Sequence, residues 1–405
     1  MQHISSAKKV GVRILCGACL AMPLTSAFAA DISDVNLDWG GYAKLAVLFN
    51  HFQDGAVQQG IGRDFYVPNT TPVLAPGANE VPHNYLDFQA KETRLFLKGS
   101  SNVQGHQVGG YVEMDFLSDQ NLVNTTVTTT TPGASEATTN AYTPSLRRAY
   151  LTVDNWLLGQ DWTTFQNVSA LPDVVDYIGP TEGTVFVRQP LIRYTLGGLQ
   201  VALENPETTT AAHAGAAFSN TDDNSIPDLV LRYNLKAGPG TYSFAALGRQ
   251  LTDHGEVNGA NGTTTGFGLS ASGKVMTVGQ DDLRFMVSGG SGIGRYLGLD
   301  TVGDTVADST GQLDRSRIVN GFAAYRHVWN NQWRSSLVLS TLHADKDSNY
   351  AGTVTHNVSS ASANLMYSPF TKMTVGGELR YAQRATMNDE KGSMSRAEFM
   401  AKYEF

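Results

Sequence analysis

Charged residues in this chain repeatedly fall beside apolar neighbours, inside short runs where every second residue is aliphatic or aromatic. Lys44, Arg94, Lys98, Arg148, Arg188, Arg193 and Arg380 supply the cations of this pattern, and Glu113 and Asp115 supply acids between them. A second set of acids, Asp173, Asp176 and Glu182, lies in a stretch that also holds Leu171, Val174, Val175 and Ile178. Fixed charges of both signs around a narrow water column order dipolar solutes and sort ions by charge, which requires no bond to break. Bond-making chemistry has less to work with. The histidines at 51, 83, 106, 213, 254, 327, 343 and 356 are scattered, and neither Gly-x-Ser-x-Gly nor His-Glu-x-x-His occurs. The run Gly289-Gly290-Ser291-Gly292-Ile293-Gly294 lacks the spacing and the following Lys-Ser/Thr of a phosphate loop. No catalytic residue, metal site or cofactor is expected.

The elements that must carry these charges are β-strands. Residues 397–405 alternate apolar and mostly charged side chains, giving one greasy and one wet face. The same period recurs at 36–49, 93–98, 108–116, 148–153, 156–163, 185–196, 198–204, 228–236, 241–251, 265–278, 282–290, 316–327, 332–343, 357–367, 372–385 and 394–405. That makes about 16 strands, joined by eight long connections and seven short turns. Gly197-Gly198, Asn330-Asn331 and Ser368-Pro369 mark such turns. Lipid cannot hydrogen-bond a backbone, so a sheet with a lipid-facing apolar side must close on itself. The fold class is therefore all-β, a transmembrane antiparallel β-barrel. Its apolar parity faces lipid, its polar parity lines the lumen, and Pro190 interrupts the parity between Arg188 and Arg193. Residues 164–184 are placed to fold inward as a constriction loop whose acids face the basic wall. The Thr-rich stretch 118–144 reads as a solvated loop.

Bulk properties agree with an exported barrel. Residues 1–29 form a signal peptide, with Lys8, Lys9 and Arg13, an apolar stretch from Ile14 to Leu24, and the Ala27-Phe28-Ala29 cleavage site. Cys16 and Cys19 both fall inside it, leaving a cysteine-free barrel domain over 30–405. The full chain carries a net charge of −8, which argues against a nucleic-acid partner. Trp39, Trp156, Trp333, Tyr381 and Tyr403 suit aromatic girdles at the membrane interfaces.

The segment Arg147-Arg148-Ala149-Tyr150-Leu151-Thr152, followed by Asn155-Trp156-Leu157-Leu158-Gly159-Gln160-Asp161-Trp162-Thr163-Thr164-Phe165, resembles the DcaP-like family of outer-membrane porins. The likeness continues through Ala170-Leu171-Pro172-Asp173, Gly179-Pro180, Arg188-Gln189-Pro190-Leu191-Ile192-Arg193-Tyr194-Thr195 and Leu203-Glu204-Asn205-Pro206, and so covers roughly 145–206. Gly41-Tyr42-Ala43-Lys44-Leu45 and Tyr403-Glu404-Phe405 agree with porins generally. The resemblance implies a 16-stranded homotrimer in a Gram-negative outer membrane, in contact with its lipid. It also implies passage of small anionic solutes such as dicarboxylates, with Arg148, Arg188 and Arg193 facing the solute. Phe405 resembles the terminal aromatic signal read by the barrel-assembly machinery. One departure is that some members carry a helical segment before the barrel, whereas here the first strand starts within ten residues of the cleavage site. A trimer would then rest on wall packing and loops. The rival readings are an adhesive or anchoring barrel and, behind it, a barrel enzyme.

Overall fold

The computed structural model describes residues 35–75, 77–79, 81–117, 142–255 and 259–405. The expected signal peptide and most of the Thr-rich stretch lie outside them. One antiparallel sheet dominates, built from β1 (Asn36–Phe52), β2 (His83–Gln89), β3 (Arg94–Val103), β4 (His106–Asp115), β5 (Ser145–Val153), β6 (Trp156–Trp162), β7 (Arg188–Leu196) and β8 (Leu199–Glu204). A small pair, β9 (Thr208–Ala211) and β10 (Phe218–Thr221), precedes β11 (Asp228–Ala237), β12 (Gly240–His254), β13 (Asn261–Met276) and β14 (Asp282–Ser291). A second small pair, β15 (Thr305–Ala307) and β16 (Leu313–Arg315), precedes β17 (Arg317–Val328), β18 (Trp333–Ala344), β19 (Thr355–Tyr367), β20 (Met373–Thr386) and β21 (Lys391–Glu404).

The sheet closes where β1 pairs with β21, from Tyr42 opposite Glu404 to Phe52 opposite Met394. On its other side β1 pairs with β3 over Asn36–Tyr42 and with β2 over Ala46–Phe52. β2 and β3 are thus two halves of one stave, and the barrel has 16 staves. The break between them falls at Ala90–Thr93, where the Thr93 hydroxyl accepts the Lys44 backbone N–H and Glu92 turns inward to the Lys44 ammonium.

The 16 strand positions expected from alternation all carry staves, with boundary shifts of a few residues. Two of the long connections differ from expectation. β12 and β13 run for 15 and 16 residues, and β20 and β21 for 14 each, so the links between them are brief. At the opposite end, two-residue turns such as Gln104-Gly105 need positive φ at both positions (54° and 89°) to match strand twist.

Burial is inverted relative to a water-soluble sheet. Leu45, Leu97, Leu339, Leu379 and Phe399 are exposed on the outer face, forming the lipid-facing belt. Aromatic pairs cluster at the turn end: Trp39 with Phe405 (6.1 Å), Trp156 with Tyr194 (4.8 Å) and Trp333 with Tyr367 (4.5 Å). These form one interfacial girdle. Tyr381 lies within β20, away from it.

The lumen toward the loop end is filled. Tyr66, Phe165, Ile293, Tyr296, Leu297 and Val302 from the connections pack against Phe52, Met286, Leu342 and Met394 from the wall. Above them β9, β10, β15 and β16 form a four-stranded sheet of their own, with β9 and β15 parallel. Alternation did not reveal this sheet, because its strands have three or four residues and no apolar face to lipid.

The last residue finishes the seam. The Phe405 N–H donates to the Gly41 carbonyl (3.1 Å), and its ring rests by Trp39. Deleting Phe405 is expected to lower the yield of folded barrel several-fold, measured by heat-modifiable mobility in cold SDS electrophoresis. Normal yields would contradict this role.

Candidate functional site

The site is built by the 163–187 connection, which enters the barrel and is fastened to successive staves. Arg232 of β11 donates to the Gln166 carbonyl, Asn167 to Ser272 of β13 (3.0 Å), and Arg284 of β14 to the Leu171 carbonyl (2.6 Å). Arg334 of β18 pairs with Asp173 (2.7 Å), and Asn364 of β19 donates to the Asp173 carbonyl (2.9 Å). Glu378 of β20 accepts the Val175 N–H (2.9 Å), while the Lys44 ammonium of β1 donates to the Val175 carbonyl (2.7 Å). Asp176 pairs with Arg396 of β21 (3.2 Å) and accepts backbone N–H groups from Tyr66, Ile178 and Gly179. The returning limb lies flat on the wall at Gly183, where a Cβ would collide with the Gly321 carbonyl. The inward constriction loop read from sequence is therefore present.

Opposite the loop's tip, arginines and aromatic rings from β3 to β7 interleave. Arg147 pairs with Glu113 (2.8 Å) and Asp115 (2.6 Å), and Tyr177 of the loop donates to Asp115 (2.9 Å). Arg94 approaches Asp115 (3.6 Å) and lies 5.4 Å from the Tyr42 ring and 5.9 Å from that of Tyr177. Arg188 sits 5.1 Å over Trp162 and 5.8 Å from Phe186. Arg148 and Arg193 share Asp161 (2.7 and 2.9 Å), and Arg148 also lies 4.8 Å over Tyr111. Five guanidinium groups thus answer the three carboxylates of Glu113, Asp115 and Asp161. The rings hold the surplus by cation–π attraction while leaving it available to an anion. Buried Nε of Arg94 and Nη1 of Arg188 have no acceptor among the described residues.

Arg147 was not among the expected site residues, because it shares the parity of the outward Ala149 and Leu151. A register shift between Glu113 and Met114, opposite Arg148 and Leu146, makes a β-bulge at Arg147. The extra residue lets two adjacent arginines enter the same side of the sheet. A double basic residue at a strand start was the available signal.

Other expected site residues sit differently. Lys44 and Arg380 point inward but are sealed beneath the loop, Lys44 against Glu92 (2.5 Å) and Glu398 (3.8 Å), and Arg380 against Glu378 (2.9 Å). They anchor the loop instead of facing water. Glu113 and Asp115 are buried as partners of Arg147. Lys98 is exposed at the turn side of β3. The loop acids do not form a negative face across the water column: Asp173 is tied to Arg334, and Asp176 and Glu182 are buried. Burial opposes the Asp176 charge, but Arg380, Arg396 and the backbone N–H groups outweigh it and hold its carboxyl below the usual range. Glu182 is the reverse case, since burial raises it above the usual range.

Toward the loop end, a buried ion cluster ties the small sheet to the wall. Arg249 of β12 binds Asp228 (3.2 Å) and Asp304 (2.8 Å), Tyr296 donates to Asp228 (2.7 Å), and Asp304 accepts the Thr209 N–H (3.0 Å). Asp300, at φ 54°, accepts only the Thr209 hydroxyl (3.0 Å) among the hydrogen bonds seen. Burial, and then the neighbouring Asp304 charge, push Asp300 up to about 7.

Cations the sequence reading did not single out line the turn-end basin below the loop. Arg284 (2.7 Å), Arg326 (2.6 Å) and Lys274 (3.6 Å) all converge on Asp282, whose side chain is fully buried. A cavity of about 500 Å³ beside them is lined by Asn167, Ser169, Arg232, Asn234, Lys236 and Thr241. Their inward parity was legible in the strands, yet no motif drew attention to them.

A closed 16-stave barrel, narrowed by an inward loop and charged inside, defines an outer-membrane barrel of the porin class. Within that class the chain belongs to the DcaP outer membrane protein family, whose profile matches residues 118–405. No curated protein matches. The outer membrane channel DcaP of Acinetobacter baumannii has a similar structure, with a TM-score of 0.74 at 22% identity, over 93% of this chain and 99% of that one. The OmpF of Salmonella typhi, solved with daunomycin, aligns at 0.55 and 12% over 93% and 99%. The anion-selective porin from Comamonas acidovorans aligns at 0.54 and 10% over 92% and 100%. These likenesses concern the fold.

Two outcomes are expected from the clusters. Asp176→Ala leaves buried Arg396 without its carboxylate at that point and loosens the loop there, costing about 3 kcal/mol or more. It should lower the unfolding temperature and raise single-channel conductance; wild-type values for both would refute the anchor. Asp300 takes up a proton on folding between its unfolded value near 4 and about 7. Its contribution to stability is full below about 4 and is lost as pH rises through about 7. Thermal unfolding should therefore show a stability loss over that interval that Asp300→Asn removes, and an unchanged slope in the variant would count against it.

Proposed function

We propose that this protein is a passive diffusion channel for small hydrophilic solutes that prefers organic anions such as dicarboxylates. The observation that carries the reading is the surplus of guanidinium groups at the loop's tip. Arg94, Arg147, Arg148, Arg188 and Arg193 outnumber their carboxylate partners, and two of them keep buried N–H donors without an acceptor among the described residues. The side chains of Arg94 and Arg148 stay 22% and 24% exposed, so the open part of each guanidinium favours an arriving carboxylate. The loop acids, being buried or ion-paired, offset this field only weakly. In this reading the channel works as a homotrimer whose apolar walls contact lipid and one another, after insertion by the barrel-assembly machinery.

The test is ion selectivity in planar bilayers. Arg94→Gln with Arg188→Gln should cut the anion-to-cation permeability ratio by about tenfold, the scale of losing a charge-assisted contact. Arg148→Ala with Arg193→Ala should act in the same direction. Unchanged selectivity in both pairs would overturn the assignment.

A further inference from the structure

The turn-end basin has a charge pattern that pairing within the barrel does not explain. Lys236 of β11 stands opposite Thr241 of β12, Thr241 stands opposite Lys274 of β13, and Lys274 stands directly opposite Arg284 of β14. Three cations therefore occupy one level across four neighbouring staves. Like charges directly opposed across a strand pair destabilise a sheet. The nearest relief is Asp282, opposite Arg326, and that single carboxylate already serves Lys274, Arg284 and Arg326. Lys236 is exposed and has no acidic partner among the described residues. Nε of Arg232, one inward step beyond Asn234, is buried without an acceptor there. The Lys274 ammonium is partly open to the lumen, its side chain being 32% exposed.

We propose that this basin is a second solute site, distinct from the arginines at the loop's tip, and that it takes a small organic dianion. Staves lie about 4.8 Å apart, which sets Lys236 and Lys274 about 10 Å apart at the backbone. Their flexible stems converge from either side of Thr241. One carboxylate is held by Lys236 beside the Thr241 hydroxyl, both on the cavity wall, and the other by Lys274 with Arg326, whose side chains stay 32% and 22% exposed. The residues Asn167–Ser169 roof the cavity, so a solute leaving the constriction on the turn side meets the basin next. Short turns face the periplasm in barrels of this class, which makes the basin the periplasmic vestibule. This inference rests on the channel reading above.

The experiment records current blockade through single channels of the full protein, with succinate or propionate added from the turn side. Succinate should reside longer than propionate in wild type, and Lys236→Gln with Lys274→Gln should shorten succinate residence about tenfold. Lys236→Gln alone, at an exposed position, should shorten it in part, and Lys274→Arg should preserve it. Succinate residence unchanged in the double variant and in Lys236→Gln would overturn the basin. The reversal potential in potassium chloride is read in the same recordings and reports on the arginines at the loop's tip. A cation-selective wild type whose succinate residence still depends on Lys236 would sink the anion-preferring constriction and keep the basin. An anion-selective wild type with residence independent of Lys236 and Lys274 would do the opposite.

Discussion

A sheet that faces lipid has no solvent to complete its hydrogen bonds, and the β1–β21 seam is where this chain meets that demand. Every other feature follows from closure. A ring of 16 staves encloses a volume too wide for wall side chains to fill, so the chain must supply its own contents. Toward the loop end it does so with an apolar core drawn from the connections. At mid-height it uses the 163–187 loop, and there the wall is polar, so the fastening is ionic.

That fastening explains why so many charges in the lumen face no water. Lys44, Arg380 and Arg396 hold Glu92, Glu378, Glu398 and Asp176 beneath the loop, on the staves beside the arginine wall. Separating any of these pairs would leave a charge uncompensated in a dry place. The arginine wall obeys a different rule. Aromatic rings of Tyr42, Tyr111, Trp162 and Tyr177 support guanidinium groups without neutralising them. The result is one structural zone in which every cation has a carboxylate partner and one zone with cations in excess. The second zone is the one suited to sorting solutes.

The strands were legible because period-two alternation over long runs has few alternatives, and the inward loop was legible from its position and its aliphatic residues. What parity could not convey is whether an inward residue meets water or another segment. Asp176 and Glu182 illustrate this, since their burial depends on Arg396, Arg380 and β17, all distant in sequence. Arg147 was hidden for a local reason, because a one-residue bulge reverses the parity on which the reading relied. The split stave at Ala90–Thr93 was half seen, because alternation marked only 93–98 and left β2 unassigned. The basin cations Lys236, Lys274, Arg284 and Arg326 were readable singly, but their clustering appears only once register is known.

The central claim is that guanidinium excess at the loop's tip governs which ions pass. The direct measurement is the reversal potential of the purified wild-type protein in a planar bilayer across a potassium chloride gradient. The account predicts stepwise channels whose reversal potential lies toward that of chloride. A potential lying toward that of potassium would contradict it, and folded protein without conductance would contradict the channel itself.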